Sequence, residues 1–437
     1  MGDNLDFRQL YQEKLTTPAK AAELLRDGTV CASDIALSHS AAFYDAVAQR
    51  IHKKSLFNIT QHSLLDIAAF PFFDEQLAGT YHGVSWFSSA AARKAIGQGA
   101  ADVMPAYYRD IPALLRDHVQ PDVFVGVVSP MDRHGYFSTG CAGSISQAIL
   151  SGAHQIFLEV NPNMPRSLTA PMIHISQVTA LWENAAPLYC LPPTKIDDVS
   201  ARIGSYIAEE VPDGATLQLG IGAIPDAVGV ALQDKRHLGL HTEMFTDSMM
   251  QLIDCGAVDN SAKPLHTGKT VAAFAVGSRR MYDYIDDNPA VEMRPVDYVN
   301  DPATIARHPN FISVNAALEV DFYGQVCAES LGTYHISGTG GQSDFVRGAT
   351  QAKGGKSFIA FSSTAKDGTV SRITPILTPG AQVSTSKNDV DCIVTEYGIA
   401  KLRGRPLSQR ARALIAIAHP AFRDQLAFQA KKQNIII

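Results

Sequence analysis

The stretch that decides the fold is TLQLGIGAIPDAVGVALQDKRHLGLHTEMFTD, residues 216–247. Leu217, Leu219 and Ile221 alternate with polar or glycine positions, and this alternation predicts a strand with one well-buried face. The glycines at the end of that strand allow a tight turn. Pro225 fits the first turn of the helix that we expect to follow, where its missing N–H costs nothing. The first part of the stretch therefore predicts a strand, a glycine turn and a helix.

The second part predicts a neighbouring strand with one carboxylate near its end. HLGLHTE (237–243) has the length and composition of a short buried strand, and it ends at Glu243. Phe245-Thr246-Asp247 predicts the cap of the next helix. The first-turn amides of the preceding helix favour anionic ligands or a developing oxyanion. One carboxylate and a set of amides thus meet at the carboxyl edge of a parallel sheet, where open α/β sheets bind their ligands.

The rest of the chain repeats this alternation of helices with nearly continuous apolar strands. Such strands indicate a parallel sheet that is covered on both faces, so the predicted fold class is α/β. A length of 437 residues accommodates two domains. A Pro-Pro pair within residues 186–198 is the best candidate linker. We therefore expect one α/β domain at 1–190 and a second at 191–437.

Composition excludes several functional classes. The formal net charge is −6, which argues against a nucleic-acid partner. No run of about 18 apolar residues is present, so we expect no membrane span, and the amino-terminal segment lacks the apolar core of a signal peptide. Six scattered cysteines form no Cys-x-x-Cys pair. These features predict a cytoplasmic protein whose cysteines are buried thiols, with neither a disulfide framework nor a zinc site.

The glycine turn leaves three interpretations open. Gly220-Ile221-Gly222 nearly matches the G-x-G-x-x-G dinucleotide fingerprint, and Glu243 lies 23 residues after Gly220, where such folds place a ribose-binding acid. Pro225 stands in place of the third glycine, which counts against a nicotinamide or flavin site. The spacing alone also permits a cradle for an acyl or phosphate group, or a tight turn with a purely structural role.

Other candidate sites carry weaker signals. SGTGG (337–341) precedes a predicted helix near Asp344, and Arg347, Lys353 and Lys356 follow it. This segment could bind a phosphate, or its cations could form a solvated helix face. The histidines show no metal-ligand spacing and no Gly-x-Ser-x-Gly motif is present, so we expect neither a metal site nor a serine nucleophile. His134 is expected in a turn between strands.

Several long blocks in fixed order resemble the acetyl-CoA hydrolase/transferase family, and within it the 4-hydroxybutyrate and butyrate:acetate CoA-transferases. The resemblance covers nearly the whole chain. The blocks are VSPMDRHGYFSTG, EVNPNMPR, GATLQLGIGAIPDAV, LGLHTEMFTD, VEMRPVDYVNDP, ISGTGGQSDFVRGA and NDVDCIVTEYGIAKLRG.

The resemblance implies two open CoA-transferase-type α/β domains with mostly parallel sheets, the second of which carries a nucleophilic glutamate, here Glu243. It implies coenzyme A as a substrate and acyl-CoA and small carboxylic acids as partners. It also implies a homodimer or higher homo-oligomer. Two departures stand out: TVCASDIALSHS (29–40) lacks the glycines expected after the first strand, and Leu318 replaces a more usual Ile. The coenzyme A contacts that it implies are Gly220, Ile221, Gly222, Ala223, Ile224, Leu318 and Gly341.

The predicted function is transfer of coenzyme A between a short-chain acyl-CoA and a free carboxylate such as acetate. A carboxylate nucleophile suits this reaction because its acyl anhydride is as reactive as the thioester. An acyl-CoA hydrolase on the same scaffold is the alternative, and a dinucleotide oxidoreductase is a third hypothesis that the spacing permits. The sequence does not specify which acid is the physiological acceptor.

Overall fold

The computed structural model describes residues 7–436, and the chain divides into two compact units. Unit 1 comprises residues 1–191 and 272–298, and unit 2 comprises residues 192–271 and 299–437. Each unit is built around an open sheet of mostly parallel strands, as the apolar patterning predicts.

Unit 1 contains a seven-stranded sheet in which all neighbouring strands are parallel. The order of the strands reverses between Val30–Ile35 and Val123–Val128, which creates a topological switch point at the carboxyl edge. Every residue of Val123–Val128 is buried, as expected for a central strand with helices on both faces. Across the sheet the strands are Asp102–Val103, Tyr81–Ser85, Ile59–Leu64, Val30–Ile35, Val123–Val128, Gln155–Val160 and Ala180–Glu183.

Unit 2 contributes six neighbouring strands, of which only the last pair is antiparallel. The order reverses between Thr216–Leu219 and Phe311–Ala316, so unit 2 also has a switch point. The strand Thr216–Leu219 is fully buried and the glycine turn follows it directly. Across the sheet these strands are Gly239–Phe245, Thr216–Leu219, Phe311–Ala316, Lys356–Ala360, Cys392–Thr395 and Gly398–Lys401.

Helices connect the strands and cover the sheets. Many begin at a side-chain cap, such as Ser40 before Ala41–His52 and Asp197 before Asp198–Glu209. The helices of six or more residues are Phe7–Lys14, Pro18–Glu23, Ala41–His52, Ala90–Gly97, Asp198–Glu209, Ala223–Ala231, Asp247–Asp254, Arg279–Ile285, Gln342–Gln351, Leu407–Ala416 and Pro420–Lys432.

The segment 272–298 returns to unit 1, which the predicted division at residues 190 and 191 does not anticipate. It carries the end of the strand Thr270–Ala275 and the short strand Val291–Met293. Ala275 donates a backbone hydrogen bond of 2.9 Å to Cys141, and the Tyr282 hydroxyl donates to the Tyr189 carbonyl at 2.7 Å. Contacts between residues so distant in sequence leave no local signal. A prediction from local patterns therefore assigns segment 272–298 to the same domain as the residues that precede and follow it.

The structure also bears on the expected burial of the cysteines and on the expected absence of a membrane span. All six cysteines are free, but Cys190 and Cys255 are exposed, so the prediction that every thiol is buried is wrong for these two. Both lie at the end of a regular element or in the linker, where apolar neighbours do not enforce burial. None of the helices in residues 7–436 combines the length and the apolar character needed to cross a bilayer.

Candidate active site

Glu243 lies within the strand Gly239–Phe245, so the prediction that the strand ends at Glu243 is wrong, because the strand continues to Phe245. The parallel register pairs Thr216 with Gly239 and Leu217 with Leu240. The turn follows the carboxyl end of Thr216–Leu219, and Glu243 lies in the carboxyl half of the parallel neighbour Gly239–Phe245. The two parts of the 216–247 stretch therefore both lie toward the carboxyl edge of the sheet, as the sequence predicts.

The turn has the geometry that its glycines permit. Gly220 donates a backbone hydrogen bond of 2.9 Å to Val314, and Gly222 has a φ of 110°. This φ strains any side chain, so glycine is required at position 222 for conformational reasons. Ile221, between the two glycines, is 51% exposed, so the prediction that it extends the buried face of the strand is wrong: the strand ends at Leu219 and Ile221 lies in the turn.

The helix Ala223–Ala231 begins immediately after the turn, with Pro225 in its first turn as predicted. The N–H groups of Ala223 and Ile224 have no acceptor within the helix, by the geometry of an α-helix. They follow the turn at the end of Thr216–Leu219, so they lie at the carboxyl edge of the sheet. Such amides favour an anion or a developing oxyanion.

Two donors converge on the carboxyl group of Glu243. The side-chain amide of Asn300 donates to Oε2 at 2.7 Å, and the backbone N–H of Gly341 donates a second hydrogen bond. Burial raises the pKa of Glu243 to about 7, and these two hydrogen bonds oppose the rise because they favour the ionised form. A carboxyl group with this pKa is divided between its acid and its carboxylate near neutral pH. Perturbed carboxyls of this kind are concentrated at functional sites.

Gly341 is required for reasons of space. Its φ of −99° is accessible to any residue, yet an added Cβ would collide with Glu243 Oε2 and with Asn300 Nδ2. Only a residue without a side chain brings its backbone N–H this close to the carboxylate. The absence of a side chain at position 341 is therefore part of the geometry of the site.

Asn300 is the site residue that sequence reasoning missed. It is fully buried, and it follows Val299, whose carbonyl accepts a 2.8 Å hydrogen bond from His241 Nε2. His241 and Glu243 are two residues apart in one strand, so they point to the same face. Burial keeps the pKa of His241 well below its ordinary value, so this imidazole is a neutral donor. Asp301 then caps the helix Pro302–Ala306 through two backbone amides.

The sequence contains one weak signal for Asn300. The triplet Asn300-Asp301-Pro302 predicts a helix cap at Asp301, which places Asn300 directly before the start of a helix. A local pattern of this kind gives no partner 57 positions away. The link to Glu243 exists only in the folded chain.

Leu318, another residue that the resemblance singles out, lies beyond the strand Phe311–Ala316. It is half-buried, and its N–H donates to the Cys327 carbonyl at 2.8 Å. It precedes a small antiparallel pair, Glu319–Asp321 with Val326–Cys327. Neither of these contacts involves Glu243, so the role of Leu318 in coenzyme A binding stays a prediction.

The loop 337–341 precedes a helix, as the sequence predicts. Its helix begins at Gln342, two residues before the expected start. Arg347 pairs with Asp389 at 3.0 Å and Lys356 with Glu210 at 2.7 Å, so these two cations already have carboxylate partners. Within the loop, Gly341 contacts the Glu243 carboxyl group, and a phosphate site at the loop stays a prediction.

His134 lies in the exposed turn that the sequence predicts. The backbone N–H of His134 donates to Asp132 Oδ1 at 2.8 Å, and Gly135 follows with a φ of 83°. Within residues 7–436, no group of three or more His, Cys, Asp or Glu side chains is arranged to hold a metal ion.

Comparisons with known proteins identify the family. Residues 1–191 match the model of the acetyl-CoA hydrolase/transferase N-terminal domain, and residues 277–430 match that of the C-terminal domain. The chain belongs to the acetyl-CoA hydrolase/transferase family. The resemblance seen in its sequence blocks is thereby confirmed.

Two relatives match over nearly their full length. The chain is 45% identical to succinyl-CoA:cyclohexane-1-carboxylate CoA transferase of Geobacter metallireducens, over 98% of both chains. It is 40% identical to 4-hydroxybutyrate coenzyme A transferase of Clostridium kluyveri, over 98% of this chain and 100% of the relative. These names confirm the expected enzyme class, CoA-transferase.

A solved structure confirms the expected fold class. The crystal structure of RipA from Yersinia pestis superimposes with a TM-score of 0.94 at 38% identity, over 99% of this chain and 100% of that one. The mixed α/β architecture with mostly parallel sheets is thus shared with a protein of similar length.

Proposed function

We propose that the protein transfers coenzyme A between a short-chain acyl-CoA and a free carboxylic acid, with Glu243 as the nucleophile. The observation that carries this proposal is the convergence of Asn300 Nδ2 and the Gly341 N–H on the Glu243 carboxyl group. A carboxylate held by two donors at the carboxyl edge of a sheet, in a family of CoA-transferases and hydrolases, is suited to covalent catalysis.

The reaction divides into two half-reactions. In the first, the Glu243 carboxylate attacks the thioester carbonyl, which gives an acyl-glutamyl anhydride and releases the coenzyme A thiolate. The thiolate then attacks the glutamyl carbonyl, which frees the first acid and leaves a glutamyl-CoA thioester. In the second half-reaction, an acceptor carboxylate reverses these two steps. Each nucleophile and each leaving group is an anion, so no proton transfer is obligatory.

The same two donors serve both the resting and the reacting states. In the resting enzyme they favour the ionised form of Glu243, which is the nucleophilic form. When the glutamyl carbonyl is attacked, negative charge develops on its oxygen, and donors at hydrogen-bonding distance stabilise that charge. Removing one such donor from an oxyanion site typically lowers the rate by about 10²–10³-fold.

The first-turn amides of Ala223 and Ile224 have a separate role in the proposed reaction, which is to bind the thioester. They lie at the carboxyl edge of the unit 2 sheet, which also carries Glu243. We assign Gly220, Ile221, Gly222, Ala223 and Ile224 to coenzyme A contacts, with the amides of Ala223 and Ile224 as the donors that stabilise the developing oxyanion of the thioester. Leu318 keeps its assignment as a coenzyme A contact within this proposal.

Steady-state kinetics test the proposal. A panel of acceptor acids with one acyl-CoA donor should give parallel double-reciprocal lines, because the two substrates react in separate half-reactions. Thioester consumption should depend on the acceptor acid. Rapid thioester loss with water alone would instead establish the acyl-CoA hydrolase as the function. Intersecting lines would exclude the two-step mechanism.

A further inference from the structure

His241 is a fully buried histidine of unit 2 that takes no part in the bond-making steps of the proposed reaction. It lies in the strand Gly239–Phe245, and its ring Nε2 donates to the Val299 carbonyl at 2.8 Å. A carbonyl oxygen only accepts hydrogen bonds, so Nε2 carries the ring proton. Val299 is the first residue of unit 2 after segment 272–298, which belongs to unit 1. The hydrogen bond therefore holds the point at which the chain returns to unit 2.

The carbonyl of Val299 belongs to the peptide bond that joins Val299 to Asn300. Because a peptide bond is planar, holding its oxygen also sets the position of the Asn300 backbone nitrogen and Cα. The next residue, Asp301, caps the helix Pro302–Ala306 through two backbone amides. The backbone of Asn300 is thus held on one side by His241 and on the other side by a helix.

The position of this backbone matters because the side chain of Asn300 contacts the nucleophile. Its Nδ2 lies 2.7 Å from Glu243 Oε2, and a hydrogen bond weakens steeply when its geometry is disturbed. His241 and Glu243 are two residues apart in one strand, so their side chains lie on the same face. One strand therefore carries both the nucleophile and the group that holds its donor in place.

A second histidine in the same environment offers a comparison. His308 is also fully buried, and its ring centroid lies 5.0 Å from that of His241. Neither ring nitrogen of His308 has a hydrogen-bond partner among residues 7–436. The two histidines thus share their packing, but only His241 hydrogen-bonds to the backbone beside Asn300.

The surroundings of His241 keep its ring neutral. Burial is the main cause that lowers the pKa of His241 well below its ordinary value, and His308, Lys263 and His266 act in the same direction. Lys263 is buried as well, and its Nζ donates to the Leu240 carbonyl at 2.7 Å, directly before His241 in the strand. The imidazole is therefore a neutral donor near neutral pH, and its hydrogen bond does not depend on protonation of the ring.

We propose that His241 is a positioning residue for the transfer reaction: it holds the Val299 carbonyl and thereby sets the amide of Asn300 on Glu243. It acts through Asn300 and makes no bond to the reacting groups. The inference rests on the proposed function for the role of Glu243 as the nucleophile. The link between His241 and Glu243 follows from the geometry of unit 2.

Three variants, each checked for folding by circular dichroism, test the proposal by kinetics. His241→Leu removes the donor and should lower kcat by about 10–100-fold with little change in KM, because a displaced amide serves the reacting carboxyl group less well. The rising limb of the pH profile of kcat/KM should move to higher pH, since the pKa of Glu243 rises when the hydrogen bond from Asn300 weakens. His241→Gln, which keeps a donor able to reach Val299, should restore most of kcat. His308→Leu is the matched control and should alter neither kcat nor the pH limb.

A double-mutant cycle tests the same link without turnover. The urea midpoint of Glu243→Gln is compared with that of its parent in the native, His241→Leu and His308→Leu backgrounds, at about pH 8, where the carboxyl group is mostly ionised. A buried carboxylate that loses a donor is destabilised more than a neutral amide. Glu243→Gln should therefore stabilise the His241→Leu background more than the native one, and the His308→Leu background to the same extent as the native one. If His241→Leu does not fold, His241→Asn replaces it, because its shorter amide does not reach Val299.

Several outcomes overturn the proposal. These are native kcat with an unmoved pH limb in the folded His241→Leu variant, equal losses in His241→Leu and His308→Leu, and a His241→Gln variant as slow as His241→Leu. Failure of the proposed function has a different signature, which is the absence of a coenzyme A adduct on Glu243 in the native enzyme. Coupling in the urea cycle without that adduct would uphold the placement of Asn300 by His241 and refute the transfer mechanism.

Discussion

The side-chain amide of Asn300 donates a 2.7 Å hydrogen bond to Oε2 of Glu243, across 57 positions of sequence. A second hydrogen bond connects the same two segments, because the ring of His241 donates to the carbonyl of Val299 at 2.8 Å. The first hydrogen bond joins Asn300 to Glu243, and the second joins Val299 to His241. Together they hold Val299 and Asn300 against the strand Gly239–Phe245. The amide of Asn300 is thereby held in place before any substrate binds.

Asn300→Ala should lower kcat by about 10²–10³-fold, because it removes one of the two donors to the carboxyl oxygen. It should also move the rising limb of the pH profile of kcat/KM to higher pH. The hydrogen bond from Asn300 lowers the pKa of Glu243, so its loss raises that pKa and leaves less carboxylate at neutral pH. Stopped assays from about pH 5.5 to about pH 9, a range that brackets this pKa, would measure both effects. A lower rate with an unmoved pH limb would show that Asn300 has no contact with the nucleophile.

Gly341→Ala should abolish most of the activity while the fold is kept. The backbone at this position accepts any residue, but the new Cβ collides with Glu243 Oε2 and Asn300 Nδ2. We expect a fall in kcat/KM of at least about 10²-fold, as for the loss of an oxyanion donor. Gly152→Ala is the matched control, because nothing lies within 4 Å of its added Cβ. If both variants retained full activity, the tight contact between Gly341 and Glu243 would have no catalytic role.

Glu243→Gln should stabilise the protein more at about pH 8 than at about pH 5. Burial raises the folded-state pKa of Glu243 to about 7 from an ordinary value of 4.5. The folded state therefore holds a proton that the unfolded state releases, and the stability contributed by this group is lost as pH rises through about 7. The neutral Gln avoids this loss, and the difference should be on the order of 1–3 kcal/mol.

Urea unfolding at the two pH values, followed by the shift of the transition midpoint, measures this effect. Glu209→Gln, on the exposed end of the helix Asp198–Glu209, is the control and should show no such pH dependence. A Glu243→Gln variant that is equally or less stable than the native protein at the higher pH would contradict the raised pKa of the Glu243 carboxyl.

Local sequence patterns predict the strand and helices around the glycine turn at residues 220–222. The alternation at Leu217 and Leu219, the glycines at 220 and 222 and the cap at Thr246 each act over a few residues, and the structure has the strand, turn and helix that they predict. The helix after SGTGG begins at Gln342, two residues before the predicted start at Asp344, because local signals define a helix boundary only to within one or two residues.

Local sequence patterns do not predict contacts between residues that are far apart in the chain. Asn300 has no periodicity or motif that points to Glu243, and segment 272–298 joins unit 1 through partners such as Cys141. The cations at Arg347 and Lys356 look available for a phosphate in the sequence, but carboxylates distant in the chain pair with both. In each case the deciding interaction forms only when the chain folds.

The central claim is that Glu243 forms a transient thioester with coenzyme A, and intact-protein mass spectrometry during incubation with an acyl-CoA tests it most directly. The account predicts a mass increase of one coenzyme A moiety less water, located by digestion on the peptide that contains Glu243 and absent from Glu243→Gln. An adduct on another residue, or full transferase activity in Glu243→Ala, would contradict the account.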